Sequence, residues 1–130
     1  MPGNRKTAMN LEASIDRAPA LHPLPRRSGV YLVGGTVRDL LLHGRPADVD
    51  LAVLGDPRPY AMELAARLGV RAVPIGRPGQ MVLRAVAGGI HYDVSGIPDA
   101  DLRRDLERRD FTVNAMACAL AKASLVDPCG

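Results

Sequence analysis

The apolar and polar positions of the chain first predict a strand, a turn and a helix. The apolar run 29–33 ends in Gly34-Gly35, a pattern typical of a buried strand that enters a tight turn. Thr36 is suited to cap a helix over 37–43.

A second strand and a second helix follow. Residues 48–53 alternate acidic and apolar side chains, which indicates a half-buried strand. Asp56-Pro57 then opens a helix. Four apolar residues of that helix share one face: Ala61, Leu64, Ala65 and Leu68. Residues 70–73 form a short predicted strand.

The remaining pattern contains a hairpin. Strands over 81–86 and 90–94 flank Gly88-Gly89, a strong two-residue turn signal. Three elements complete the prediction, namely helices over 99–109 and 112–116 and a strand at 125–126. This order predicts an α/β fold, with a mixed sheet of about five strands flanked by helices.

The first 28 residues have a different character. They contain four prolines and little periodicity, which predicts a flexible or loosely attached segment over 1–28. The folded domain is expected over 29–130. A chain of 130 residues fits one such domain.

Composition narrows the function classes. A net charge of +3 weakly favours polyanionic partners, although basic residues of the first segment supply part of it. No apolar run reaches the length of a membrane span, and no secretory signal is visible. Two cysteines without metal spacing fit free thiols in a cytoplasmic protein.

Asp48 and Asp50 are the most informative residues. On a strand they point to the same side, with α-carbons roughly 6.5 Å apart, while Val49 and Leu51 enter the core. Such a pair could bind Mg²⁺ together with a triphosphate. The alternative is the solvated face of an edge strand.

The glycine turn suggests where a phosphate would bind. Gly34 and Gly35 let the backbone approach a ligand closely, and helix N–H groups attract anions. The positive charge of Arg38 is unfavourable near the N-terminus of a helix unless an anion binds there, although the charge of Asp39 beside it could compensate. A plain tight turn is the alternative.

Asp93 and the segment 109–114 complete the candidate site. The hairpin register places Arg84 opposite Asp93, so Asp93 is either a third acid or the partner of a surface ion pair. Arg109, Asp110 and Asn114 lie at a predicted helix junction that could present them to a ribose or phosphate.

Three stretches together resemble the bacterial CCA-adding enzymes and poly(A) polymerases of the polymerase-β-like superfamily. They are Gly34–Leu42, Asp48–Val53 and Arg108–Ala117, and 125–128 resembles the close of the family's head domain. The resemblance covers roughly 29–130 and implies the polymerase-β-like nucleotidyltransferase fold.

The resemblance also implies roles. Asp48 and Asp50 would bind magnesium, with Asp93 as the third acid. Nucleotide binding would fall to Gly34, Gly35, Arg38, Arg109, Asp110 and Asn114. The reaction would be attack of an RNA 3′-hydroxyl on the α-phosphate of ATP or CTP, with release of pyrophosphate and with tRNA as the expected RNA.

The sequence departs from the family in two places. The segment 93–102 is short where many relatives carry a longer loop and a further arginine, and the chain ends at Gly130, before the neck that reads the base. A separate neck or body partner, or self-association, is therefore expected. Two other functions stay open: an idle nucleotide- or RNA-binding module, and transfer to a protein or small molecule.

Overall fold

The structure, a computed structural model, describes residue 15 and residues 17–42, 48–76, 81–97, 117–120 and 124–126. Ile15 and Arg17 are helical, and a 3-10 turn follows at Pro19–Leu21. The further elements are β1 (Val30–Val33), α1 (Gly35–Leu42), β2 (Asp48–Leu54), α2 (Arg58–Leu68), β3 (Val73–Ile75), β4 (Val82–Ala87), β5 (Ile90–Ile97), β6 (Ala117–Ala119) and β7 (Ser124–Val126). No helix in these ranges is long and apolar enough to span a membrane.

The strands form one mixed sheet in the order β3-β4-β5-β2-β1-β6-β7. β2 and β5 run parallel, and the other neighbouring strands are antiparallel. The predicted α/β class with a mixed sheet is confirmed, but the described residues hold seven strands where about five were expected. β6 was not predicted, and β3 begins at Val73, later than predicted. Strands of three residues carry almost no periodicity, and they form where a neighbouring edge offers hydrogen bonds.

The predicted hairpin is confirmed. Gly88 and Gly89 have φ angles of 60° and 78°, which a two-residue turn of this hand requires. The register pairs Ala87 with Ile90 and Arg84 with Asp93, as the sequence indicated. The helices predicted over 99–109 and 112–116 lie outside the described residues.

The main core lies on one side of the sheet. Val37 and Leu40 of α1 and Leu64 of α2 are at most 2% exposed, and they pack with the inward side chains of β1, β2, β4 and β5. Burial of each such side chain stabilises the fold by about 1.5–3 kcal/mol. A smaller cluster, made of Val33, Ala52 and Ile97, forms separately from this core.

The segment before β1 is part of the core. Four of its residues are at most 3% exposed: Ile15, Ala18, Leu21 and Leu24. Two tyrosines of the domain donate hydrogen bonds to its carbonyls, Tyr92 to Ala20 at 2.6 Å and Tyr60 to Pro25 at 2.9 Å. The described part of 1–28 is therefore packed, which differs from the predicted loose attachment. Its four buried apolar residues recur at every third position, which matches neither the strand period of two nor the alternating three-and-four spacing of a helix, and prolines interrupt the segment, so the sequence pattern did not reveal their burial.

Candidate active site

β2 carries the two candidate metal ligands on the side of the sheet opposite the main core. Val49 and Leu51 are fully buried in that core, so Asp48 and Asp50 point the other way. The Asp48 side chain is 68% exposed, whereas Asp50 is half-buried. This alternation is the one that the sequence predicted, and it presents both carboxylates from one strand face.

β5 continues the polar row beside β2. In the parallel register Asp50 lies next to Asp93 and Asp48 lies next to His91. The Nδ1 atom of His91 is 4.0 Å from Oδ1 of Asp48. The three acids named from the sequence therefore occupy neighbouring positions on one face of two central strands.

Asp93 is bound by Arg84 of β4. The guanidinium donates from Nε to Oδ1 at 2.7 Å and from Nη2 to Oδ2 at 3.0 Å. The hydrogen bonds that Arg84 donates to the Asp93 carboxylate, and then the charge of that carboxylate, raise the pKa of Arg84. The charges of Asp48 and Asp50 act in the same direction. The sequence left an ion pair and a third acid as alternatives; the ion pair is present, and it lies beside Asp50.

Gly34 brings the turn after β1 next to the acids. Its φ angle is +63°, a conformation that side-chain-bearing residues rarely adopt. A Cβ atom built at Gly34 would lie 3.4 Å from Oδ2 of Asp50. The glycine therefore serves both the turn and the close approach of backbone to carboxylate.

Arg38 folds back over the start of α1. A Cβ atom built at Gly35 would lie 3.5 Å from Nη2 of Arg38, so the guanidinium lies above the glycine turn. The Arg38 side chain is 44% exposed, and its Nε is 3.7 Å from Oδ1 of Asp39. At that distance the contact is a loose ion pair. Asp39 therefore compensates the charge of Arg38 near the helix N-terminus only weakly.

The structure shows a role of Thr36 that the sequence pattern did not predict. It was expected to cap α1, but it lies within the helix, and its hydroxyl instead contacts β2. Oγ1 accepts a hydrogen bond from the N–H of Asp50 at 2.7 Å and donates to the carbonyl of Asp48 at 3.2 Å. A sequence offers no signal for this bridge, because it depends on where the helix meets a strand that comes later in the chain.

The predicted nucleotide contacts Arg109, Asp110 and Asn114 lie outside the described residues. Their placement relative to the acids therefore stays a prediction.

The chemistry of the described donors suits magnesium. Two carboxylates from one strand are ligands that Mg²⁺ accepts, and it usually takes its remaining ligands from water and substrate phosphates. Among the described residues, no three His, Cys, Asp or Glu side chains converge to enclose a metal ion by themselves. The engagement of both Asp93 oxygens by Arg84 fits this finding.

Comparison with known proteins adds to this geometry. The family described as "Poly A polymerase head domain" matches residues 30–97 and 91–130. The chain belongs to this family. The two matched segments overlap at residues 91–97, within β5.

Curated relatives of this head-domain chain are similar over most of its length. The A-adding tRNA nucleotidyltransferase of Deinococcus radiodurans is 44% identical over 114 residues, which cover 88% of this chain and 25% of that protein. The multifunctional CCA protein of Stenotrophomonas maltophilia strain K279a is 38% identical over 111 residues, which cover 78% and 27%. This head domain thus spans about a quarter of the length of these relatives.

Solved structures support the fold. A tRNA-processing enzyme in an apo form is 38% identical with a TM-score of 0.66, covering 75% of this chain and 29% of that one. The CCA-adding enzyme of Thermotoga maritima complexed with tRNA is 35% identical with a TM-score of 0.63, covering 75% and 24%. The polymerase-β-like nucleotidyltransferase fold expected from the sequence is confirmed.

Proposed function

We propose that this chain is the catalytic head of a metal-dependent nucleotidyltransferase that adds a nucleoside monophosphate to an RNA 3′-hydroxyl. The observation that carries the proposal is the arrangement of Asp48 and Asp50 against the Gly34-Gly35 turn, with Arg38 folded over that turn. Carboxylates for divalent ions and a cationic, glycine-lined site for phosphates are the two parts that phosphoryl transfer requires.

Asp48 and Asp50 would hold magnesium in this proposal. Bound magnesium would neutralise charge that develops on the phosphates and align the attacking and leaving oxygens. Both carboxylates branch from one strand, so the spacing of their α-carbons is set before a nucleotide arrives. Such preorganisation lowers the cost of reaching the transition state.

The turn and Arg38 would bind the triphosphate. Gly34 and Gly35 lead into the N-terminus of α1, where unpaired N–H groups and the helix dipole favour an anion. Arg38 adds a guanidinium, which binds phosphate oxygens in a bidentate manner. Arg109, Asp110 and Asn114 complete the proposed nucleotide contacts on the strength of the family resemblance.

Asp93 is the third acid of the proposal. Each of its carboxylate oxygens accepts one hydrogen bond from Arg84 and keeps a second lone pair, on which it could accept the proton of the 3′-hydroxyl. The Arg84 guanidinium also compensates the charge that Asp93 places next to Asp50.

We propose tRNA as the acceptor, ATP or CTP as the donor and the cytoplasm as the location. Relatives that cover most of this chain are named A-adding tRNA nucleotidyltransferase and multifunctional CCA protein. A solved relative at 35% identity is a tRNA nucleotidyltransferase complexed with a primer tRNA and an ATP analogue. This chain spans about a quarter of the length of the curated relatives, and the separate neck or body partner and the self-association expected from the sequence stay predictions.

Substitution of the two acids tests this function. We expect Asp48→Asn and Asp50→Asn to lower incorporation of labelled ATP or CTP into tRNA lacking its 3′ end by roughly 10²- to 10³-fold, because each removes a metal-binding charge. Calorimetry with Mg–ATP should show weaker binding in both variants. Asp56→Asn is the matched control, since Asp56 is an exposed acid just beyond the opposite end of β2.

Two results would contradict the proposal. Parent-like Mg–ATP binding by both variants would mean that the site is wrong. Normal binding by the parent with no incorporation, even with neck and body domains added, would favour the idle binding module.

A further inference from the structure

We infer that Thr36 is a positioning residue that holds the Asp48 and Asp50 backbone in register with the glycine turn. This inference rests on the proposed function of those two acids. The Thr36 hydroxyl joins α1 to β2 through two hydrogen bonds, one to each acid-bearing residue. Thr36 itself is 1% exposed and is the only polar residue of the described chain that is fully buried.

The bridge lies where strand pairing stops. The register between β1 and β2 ends with Leu32 opposite Leu51, and the chain then turns at Gly34. Backbone groups of alternate residues point to the same edge of a strand, so the N–H of Asp50 and the carbonyl of Asp48 lie on one edge of β2. The Thr36 hydroxyl meets both groups at that edge, in the place where the next residues of β1 would otherwise continue the ladder.

The same hydroxyl couples the two halves of the proposed site. Thr36 follows Gly34-Gly35 directly and precedes Arg38 by half a turn of α1. Its hydrogen bonds therefore set the distance between the phosphate-binding turn and the metal-binding strand. Positioning groups of this kind commonly change metal affinity by roughly 10- to 100-fold when they are removed.

The burial of Thr36 makes the bridge sensitive to small changes. A hydroxyl with one donor and two acceptor sites can satisfy both backbone groups at once. Valine has nearly the same shape but leaves both groups without this partner. Serine keeps the hydroxyl and loses only a methyl group.

The experiment compares Thr36→Val with Thr36→Ser in the full chain. Binding of Mn²⁺ alone and of Mg–ATP is measured by calorimetry, and hydrogen exchange of the Asp50 amide is measured by NMR. We expect Thr36→Val to weaken both ligands by roughly 10- to 100-fold and to speed exchange at Asp50. Thr36→Ser should stay close to the parent in all three measurements.

Ser95→Ala is the matched control. Ser95 also donates a hydroxyl hydrogen bond to a β2 carbonyl, that of Leu51 at 3.2 Å, but this hydrogen bond involves neither Asp48 nor Asp50. We expect this variant to lose some stability while Mn²⁺ and Mg–ATP affinity stay at the parent value. A loss of affinity equal to that of Thr36→Val would overturn the inference, because it would trace the effect to strand stability in general.

Further outcomes separate the inference from the proposed function. A parent that binds Mg–ATP, together with a folded Thr36→Val variant that binds it equally well, overturns the role of Thr36 alone. A parent that binds neither probe overturns the proposed function. If Thr36→Val does not fold, exchange at Asp50 in the parent decides: protection from exchange supports the bridge, and rapid exchange contradicts it.

Discussion

At the scale of single residues, the site is defined by charges that lie close together on one sheet face. Asp48, Asp50 and Asp93 would repel one another without a cation. Arg84 supplies one positive charge, through its hydrogen bonds to Asp93. In the absence of a metal, Arg84 is thus the built-in counter-ion of the acidic row.

Removal of that counter-ion should alter metal binding. We expect Arg84→Met to raise Mn²⁺ affinity by about fivefold, equivalent to ~1 kcal/mol, because the acidic face becomes more negative. Arg84→Lys should stay near the parent, since it keeps the charge. Calorimetric titration with Mn²⁺ checks this, and an unchanged or weaker affinity in Arg84→Met would speak against the role of Arg84 as a counter-ion.

The glycine turn allows a second residue-scale prediction. Gly34 and Gly88 have nearly the same positive φ, but only Gly34 has a neighbour close to where a Cβ atom would lie. We expect Gly34→Ala and Gly88→Ala each to lower the free energy of unfolding by about 1–2 kcal/mol through backbone strain. Only Gly34→Ala should also weaken Mg–ATP binding, as measured by calorimetry. Equal effects of the two variants on binding would contradict a special role for Gly34.

At the scale of elements, the parallel contact between β2 and β5 decides the site. It places Asp93 beside Asp50 and continues to Leu54 beside Ile97. Near its end the chain leaves β2 through Gly55, whose N–H donates to the carbonyl of Ile97 at 3.1 Å. The neighbouring position on β5 is Gly96, and the connection after β2 packs directly against it.

The space at Gly96 should therefore be too small even for the methyl group of alanine. A Cβ atom built there would lie 2.6 Å from the carbonyl oxygen of Gly55 and 2.8 Å from Cδ of Pro57. We expect Gly96→Ala to lower the free energy of unfolding by about 1–3 kcal/mol, because the connection must move. Urea denaturation measures the change. A variant as stable as the parent would show that this connection can move without lowering the free energy of unfolding.

At the scale of the whole molecule, the N-terminal segment completes the main core. Its described residues Ile15, Ala18, Leu21 and Leu24 belong to the same core cluster as the buried side chains of α2 and the sheet, and the hydroxyl of Tyr60 donates to the carbonyl of Pro25. Burial raises the pKa of Tyr60 above its ordinary value of 10.0. The folded chain therefore keeps this proton at a pH where the unfolded chain has lost it.

This difference makes stability depend on alkaline pH. Below the unfolded pKa of about 10, both states hold the proton and the contribution of Tyr60 is constant. As pH rises above that value, only the unfolded state releases the proton, so the free energy of unfolding falls. We expect a shallower fall in Tyr60→Phe between pH 9 and pH 11, measured by urea denaturation. An equal slope in both proteins would exclude Tyr60 as the cause.

The local pattern of the sequence was sufficient for several features. It predicted β1, β2, α2 and the Gly88-Gly89 hairpin, because alternation, helical spacing and turn glycines act within a few residues of one another. It also placed Asp48 and Asp50 on one face of a strand, since that follows from strand geometry alone. The candidate metal ligands could therefore be predicted without knowledge of any tertiary contact.

Tertiary structure decided how these parts meet. The position of Asp93 beside Asp50, the bridge from Thr36 to β2 and the burial of Leu21 all join residues that are far apart in the chain. No local spacing encodes such contacts, because they depend on which strand edges and apolar faces remain available once the whole sheet has formed. The sequence by itself thus determined the chemical groups and their local geometry, and the packing of distant segments determined their assembly into one site.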